Sequence, residues 1–290
     1  MSDKDWQSTY DAAWHARREF LAATIADGET DPHRLVHRLY AHERFNLMIE
    51  EDSGAIGFSP IDHAQNRHKF PLLPTGVPAF RIVANQDRFS LAPFYAHPMD
   101  FLVDYLNQNP VDAVVELGSG YGRNLVELFY RGGPKDIPYY AGELSESGTE
   151  MAKMLAEKTV GWRLVPFRFD HNHPDLSRVA EKGRVLFFTL HTIEQVATLR
   201  DDYFKILASH AAQAIGVHFE PFGFQIGQYP GEVNDAQQRL FLRNGWNTNM
   251  VEVIKASADR GDIKLTFMAK NMMGSDDPEN PTSLAIWRHP

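Results

Sequence analysis

The stretch AVVELGSGYGRN, residues 113–124, decides how this chain is read. Ala113 to Leu117 is a short apolar run, the pattern of a strand buried on both faces. Gly118, Gly120 and Gly122 follow at once, with Ser119 between the first two, and Asn124 to Tyr130 has helical spacing. Strand, glycine turn and helix make a ligand-binding arrangement. The glycines permit a tight turn and close approach of the backbone to a ligand. The amides opening the helix favour an anionic or electron-rich group. A dinucleotide fingerprint needs its third small residue at 123, where Arg123 stands. Here the third glycine is Gly122, and Glu116 precedes the first glycine by two positions.

Downstream the chain alternates regularly. Strands are expected at 139–143 (YYAGE), 163–169, 184–190 (RVLFFTL) and 214–220 (AIGVHFE). Helices are expected at 147–158, 200–210, 235–244 and 249–258, with a short one before the glycine turn at 99–107. Two late strands, 264–270 and 283–288, suit a hairpin that adds an antiparallel strand. Alternation of this kind predicts a doubly wound, mostly parallel seven-stranded α/β sheet covered on both faces.

With Glu116, Gly118, Gly120 and Gly122 in the order acidic-x-Gly-x-Gly-x-Gly, residues 99–290 resemble the class I S-adenosylmethionine-dependent methyltransferases. The resemblance implies S-adenosyl-L-methionine as cofactor. It implies that Glu143, ending the second strand, takes the ribose hydroxyls, where a carboxylate can accept two bonds. It places Asp170, ending the third strand, at the adenine amino group. His171 stands beside it, lining the adenine end or forming a turn with His173 before Pro174. A nicotinamide cofactor on a similar sheet is the lesser alternative.

The fourth and fifth strands end in His191-Thr192-Ile193-Glu194 and His218-Phe219-Glu220. In the resembled family the loop after the fourth strand faces the transferable methyl. His191, Glu194, His218 and Glu220 are therefore the candidate catalytic residues. A histidine near neutral pKa can take the proton an acceptor loses. Neighbouring carboxylates suit a cationic acceptor, which favours an amine or guanidine nitrogen on a small molecule. An O- or C-methyltransferase is the alternative, as is a non-catalytic cofactor-binding protein that engages a partner. The plain readings are that His191 and Glu194 cap the next helix and that His218 is a hydrogen-bonded strand histidine.

Residues 1–98 fall outside the resembled core and read as an N-terminal cap. Asp5 to Ala26 and a segment opened by Asp31-Pro32 form two amphipathic helices, with Phe45 and Met48 extending the second. From Gly54 to Pro98 six prolines are interleaved with aromatics, a combination that defeats long helices and central strands yet argues against disorder. This segment reads as a lid or as a wrapped connector. Arg67, His68, Phe94, Tyr95 and His97 are its candidate substrate contacts. Residues 1–53 could alternatively make a homodimer contact. His33 and His37 lie four apart with His42 nearby, a spacing that can bind zinc but reads as an exposed polar face. No metal is assigned.

Composition excludes several classes. With no cysteine among 290 residues, thiolate metal sites, iron–sulfur clusters and a Cys nucleophile are out. A net charge of −9 argues against a nucleic-acid surface, which concentrates Lys and Arg. No run approaches the ~20 apolar residues of a membrane helix, and the polar start MSDKDW reads as no signal peptide. The expectation is a cytoplasmic protein.

Overall fold

The computed structural model describes residues 3–50, 56–60, 79–85, 88–94, 97–179, 183–227, 232–273 and 280–290. In chain order the elements are α1 (Asp3–Ala26), α2 (Pro32–Phe45), β1 (Asn46–Glu50), β2 (Ile56–Pro60), β3 (Ala79–Asn85), β4 (Arg88–Phe94), α3 (Pro98–Gln108) and β5 (Ala113–Leu117). Then come α4 (Arg123–Tyr130), β6 (Pro138–Glu143), α5 (Glu146–Ala156), β7 (Arg163–Arg168), β8 (Arg184–Leu190), α6 (Tyr203–His210) and β9 (Gln213–Glu220). The chain ends with α7 (Glu232–Asn244), α8 (Met250–Asp259), β10 (Lys264–Met273) and β11 (Thr282–Arg288).

Seven strands form one sheet in the order β10-β11-β9-β8-β5-β6-β7. The pairs β5–β6, β6–β7 and β8–β9 are parallel, whereas β11 runs antiparallel to both its neighbours, β9 and β10. This is the predicted doubly wound sheet, with the late hairpin supplying its antiparallel strand.

By contacts the chain divides into two compact units. The first comprises residues 1–67 and 113–179, the second 68–112 and 180–290.

In the first unit all five residues of β5 are buried. That explains its unbroken apolar run, with Glu116 the single exception. β7 is an edge strand, and only Leu164 and Phe167 of its six residues are buried. Leu21 of α1, Leu35 and Leu39 of α2, Leu125 and Leu128 of α4, and Met151 and Leu155 of α5 are buried in this unit. Each such side chain contributes about 1.5–3 kcal/mol. Asp31 caps α2 as its sequence suggests: its Oδ1 accepts from the Arg34 amide at 2.9 Å, with Pro32 opening the helix.

The second helix stops at Phe45, and Met48 lies in β1 rather than extending it. Residues 46–50 pair antiparallel with 56–60, and this pairing overrides the helical reading.

In the second unit Phe187 is buried on the face of the sheet that holds Phe204 and Trp287, while Phe219, buried on the opposite face, meets Phe101 edge-on at 5.7 Å. The proline-aromatic stretch is more regular than expected. Ala79–Asn85 and Arg88–Phe94 form a separate two-stranded ribbon. Pro93, opposite Phe80, and Pro60, which ends β2, are compatible with such ribbons. Both strands of a two-stranded ribbon are edges, where a missing N–H is tolerated. Among the described residues no helix is long and apolar enough to cross a membrane.

Candidate functional site

The glycine turn belongs to the first unit. Gly118, Gly120 and Gly122 have φ of 81°, 54° and 83°, in the left-handed region. The turn is bound mainly to β6. The amides of Gly118 and Ser119 both donate to the Gly142 carbonyl, at 2.8 and 2.9 Å, and the Gly122 amide donates to Ser119 O. The Gly120 amide donates to Glu143 Oε2 at 2.8 Å. The loop amides expected to meet a ligand are thus largely spent on the protein itself.

Glu143 joins three elements. Its Oε1 accepts from the Ser145 amide at 2.8 Å, just before α5, while Oε2 holds the turn. Ser145 caps α5 through its hydroxyl, which accepts from the Gly148 amide. A Cβ at position 148 would come within 2.8 Å of the Glu143 Cγ, so glycine there lets the acidic side chain lie against the helix. Burial raises the Glu143 carboxyl above the usual range, opposed by these amides. Each oxygen keeps a further lone pair for a hydroxyl donor.

Glu116 is 1% exposed. Its Oε1 accepts from Asn124 Nδ2 at 2.6 Å. Among the described residues, Glu116 Oε2 and Asn124 Oδ1 have no hydrogen-bond partner although both are buried. Two orphaned acceptors in one place can receive donors from a bound guest. Burial lifts the Glu116 carboxyl to about 8, against the Asn124 hydrogen bond and the Arg123 charge. Asn124 escaped the sequence reading. Its only signal was a polar side chain at the start of an otherwise apolar helical stripe.

A second unforeseen residue is Trp14 of α1. Its ring lies over Gly120, where a Cβ would come within 2.8 Å of Trp14 Cη2. What approaches this glycine closely is therefore a protein side chain. Trp14 also meets Tyr121 edge-on at 6.4 Å, and the Arg17 guanidinium lies 5.1 Å from its ring centre. Arg17 Nε pairs with Glu43 of α2 at 2.6 Å, and Tyr121 donates its hydroxyl to Glu43. Arg123 stacks on Tyr40 at 4.2 Å. These contacts seat α1 and α2 on the glycine turn.

Asp170 and His171 follow β7. Asp170 Oδ1 accepts from the Asn172 amide at 2.8 Å, and Oδ2 lies 3.2 Å from His173 Nδ1. It forms a local turn and remains partly exposed. His171 is buried against Phe169, edge-on at 5.0 Å. Burial lowers its pKa to about 4, so it is neutral at physiological pH.

In the second unit three of the four catalytic candidates converge. Glu220 is 1% exposed and accepts the amides of Thr192 and Glu194, which open the 3-10 turn Ile193–Gln195. The capping role weighed for His191 and Glu194 thus falls to Glu220. Burial and the nearby Glu194 lift the Glu220 carboxyl to about 7, with His191 and the Thr192 amide opposing. Glu194 Oε2 accepts from Asn280 Nδ2 at 3.0 Å and lies 3.5 Å from His191 Nδ1. His191 Nε2 meets Thr282 Oγ1 at 2.7 Å. Its backbone has φ of 51°, in the left-handed region that favours glycine, and such strain in a histidine costs about 1–3 kcal/mol. Beside Glu194 and Glu220 is a small cavity walled by Ile193, Phe222, Gln225 and Phe241.

His218 does not belong to this cluster. It is fully buried, its Nε2 accepts from Trp287 Nε1–H at 2.8 Å, and its ring stacks with Trp287. That bond leaves the proton on Nδ1, which meets Thr189 Oγ1 at 3.0 Å. It is a satisfied core histidine, and its catalytic assignment is withdrawn. His218→Leu should leave the Trp287 donor unpaired and destabilise the protein by about 1–3 kcal/mol in urea unfolding. Cofactor affinity of the folded variant should stay within twofold of the original.

His97, a candidate substrate contact, caps α3: its Nδ1 accepts from the Met99 amide at 3.2 Å, with Pro98 next. Phe94 is the last residue of β4. Arg67, His68 and Tyr95 lie outside the described residues.

No family model matches the sequence, and no curated protein does. Solved structures do. A magnesium protoporphyrin IX methyltransferase from Synechocystis PCC 6803, with bound SAH, is 16% identical over 66% of this chain and 82% of its own, at TM-score 0.43. A SAM dependent methyltransferase from Aquifex aeolicus is 13% identical over 67% of this chain and 95% of its own, at 0.41. A mycolic acid cyclopropane synthase complexed with SAH and CTAB is 12% identical over 59% and 61%, at 0.42. The sheet of this chain, in the order β10-β11-β9-β8-β5-β6-β7 with β11 antiparallel to both its neighbours, is the doubly wound α/β sheet described above.

Proposed function

We propose that the protein is an S-adenosylmethionine-dependent methyltransferase acting on a small molecule, with an amine or guanidine nitrogen as the favoured acceptor. The observation that carries the cofactor assignment is the pair of orphaned buried acceptors, Glu116 Oε2 and Asn124 Oδ1, beside a carboxylate that braces the glycine turn. Glu116 and Asn124 suit the ammonium of the cofactor's amino-acid end, and Glu143 suits two ribose hydroxyls. When bound, S-adenosylmethionine supplies a methyl on a sulfonium that leaves as a neutral thioether. Trp14 over Gly120, with the contacts of α1 and α2 on the turn, supports the reading of the N-terminal helices as a cap.

Acceptor handling falls to the second unit. Glu194 and Glu220 make the end of β9 negative, which supports a cationic acceptor. His191, whose ring lies against a carboxylate and a hydroxyl, is the residue we assign to take the acceptor's proton. The net charge of −9 supports a small molecule over a nucleic acid as substrate.

The test is transfer of labelled methyl from S-adenosylmethionine to a panel of amines, guanidines, alcohols and phenols. Nitrogen acceptors should be labelled. His191→Ala and Glu194→Ala should each lower kcat by about 10²–10⁴-fold with cofactor affinity intact. Unchanged turnover in both would sink the acceptor assignment. Tight cofactor binding without transfer to any acceptor would favour a silent binding protein.

A further inference from the structure

The geometry points to a transition-metal site, distinct from the methyl-transfer machinery, formed by His33 and His37 of α2 with Glu127 of α4. The sequence showed only two histidines four apart on a helix, which reads as a solvated face. The third ligand comes from a helix ninety residues later. His33 Nε2 and His37 Nε2 lie 3.0 Å apart. Glu127 Oε1 lies 2.9 Å from His37 Nε2 and 3.7 Å from His33 Nε2. Three lone-pair donors thus surround one point. Ligands bound 2.0–2.1 Å from a tetrahedral zinc ion stand about 3.3 Å apart, so small rotations of the exposed rings would complete the set.

The surroundings hold these ligands in place. Arg131 Nε donates to Glu127 Oε2 at 2.9 Å, which leaves Oε1 turned toward the histidines. The Tyr130 ring stacks on His33 at 4.8 Å and sets its plane. Such outer contacts are what orient ligands in metal sites. The carboxylate is buried while the histidines are half exposed, so an ion can enter from solvent. The cations nearest on α2, Arg34 and Arg38, are turned to Glu29. His42 is directed away, stacked on Phe20 at 4.0 Å.

Two imidazoles and one carboxylate suit Zn²⁺, Ni²⁺ or Co²⁺ rather than Mg²⁺ or Ca²⁺, and three ligands leave a fourth position for water. The ion would tie α2 to α4, the helix that begins directly after Gly122.

The experiment titrates the tag-free full-length protein with Zn²⁺ against a chromophoric chelator at pH 7.5, and with Co²⁺ by visible absorption. Wild type should bind one ion at this site, and Co²⁺ should develop ligand-field bands. Zn²⁺ should raise Tm, because the ion binds the folded chain preferentially. His37→Ala, at an exposed position, should weaken this site by more than 100-fold and abolish the bands and the Tm shift. Glu127→Gln should do the same. Absence of Zn²⁺ binding by wild type, or equal binding by wild type and His37→Ala, overturns the proposal.

Discussion

Glu116→Gln should make the protein more stable and a poorer binder at once. The Glu116 carboxyl is buried and titrates at about 8 in the folded chain, far above an ordinary carboxylate. A carboxyl raised in this way holds its proton more tightly folded than unfolded. Its contribution is fully present below the unfolded pKa, near 4.5, and is lost as pH rises to about 8. At about 1.4 kcal/mol per pKa unit, the loss by pH 8 is on the order of a few kcal/mol. Glutamine keeps the shape and the acceptor for Asn124 Nδ2 and carries no charge. The variant should therefore unfold several degrees higher than wild type at pH 8, with the difference fading toward pH 4.5. Differential scanning calorimetry across that range reads it directly. The same change removes the carboxylate that would pair with the cofactor's ammonium, and above pH 8, where that carboxyl is ionised, affinity for S-adenosylmethionine should fall by about 100-fold, as expected when a charged hydrogen bond worth 1.5–3 kcal/mol is lost. A stabilised variant with unchanged affinity would disprove the assignment of the orphaned oxygen to the cofactor.

Glu143→Gln should act in the opposite sense on stability. The two carboxylate oxygens accept one backbone amide each, from Gly120 and Ser145. An amide side chain has only one acceptor, so one of those N–H groups would face an NH2 donor. Leaving a buried donor unmatched costs about 1–3 kcal/mol. The glycine turn would lose its tie to α5, and ribose hydroxyls would lose an acceptor. Lower urea midpoints and a drop of at least tenfold in cofactor affinity by calorimetry are expected. Glu143→Asp should not rescue either quantity, because a shorter side chain cannot reach both amides.

The sheet was legible because buried parallel strands read as apolar runs, and AVVEL, YYAGE and RVLFFTL are separated by helical spacing. Glu116 and Glu143 were legible for a related reason: a carboxylate in or at the end of such a run stands out chemically. His218 misled because alternation places it with Glu220, while its partner Trp287 is supplied by β11. Ala285 stands opposite His218 in that pairing, and nothing short of the sheet register reveals it. Trp14 over Gly120 left no local signal, since the two are more than a hundred positions apart. The pairing of 79–85 with 88–94 was hidden by Pro93, which excludes a central strand but not a paired edge, and that of 46–50 with 56–60 by the helical spacing that runs on from α2.

The seating of Trp14 and Glu43 on the glycine turn also bears on how the chain is made. Glu43 waits for Tyr121, 78 residues later in the sequence. At a synthesis rate of 5–20 residues per second, that is a delay of about 4–16 s in which the first two helices have left the ribosome without the surface they cover. Their buried faces, with Leu21, Leu35 and Leu39, are exposed to other chains during that interval. The nascent protein should therefore lean on chaperones early in translation, well before its cofactor turn exists.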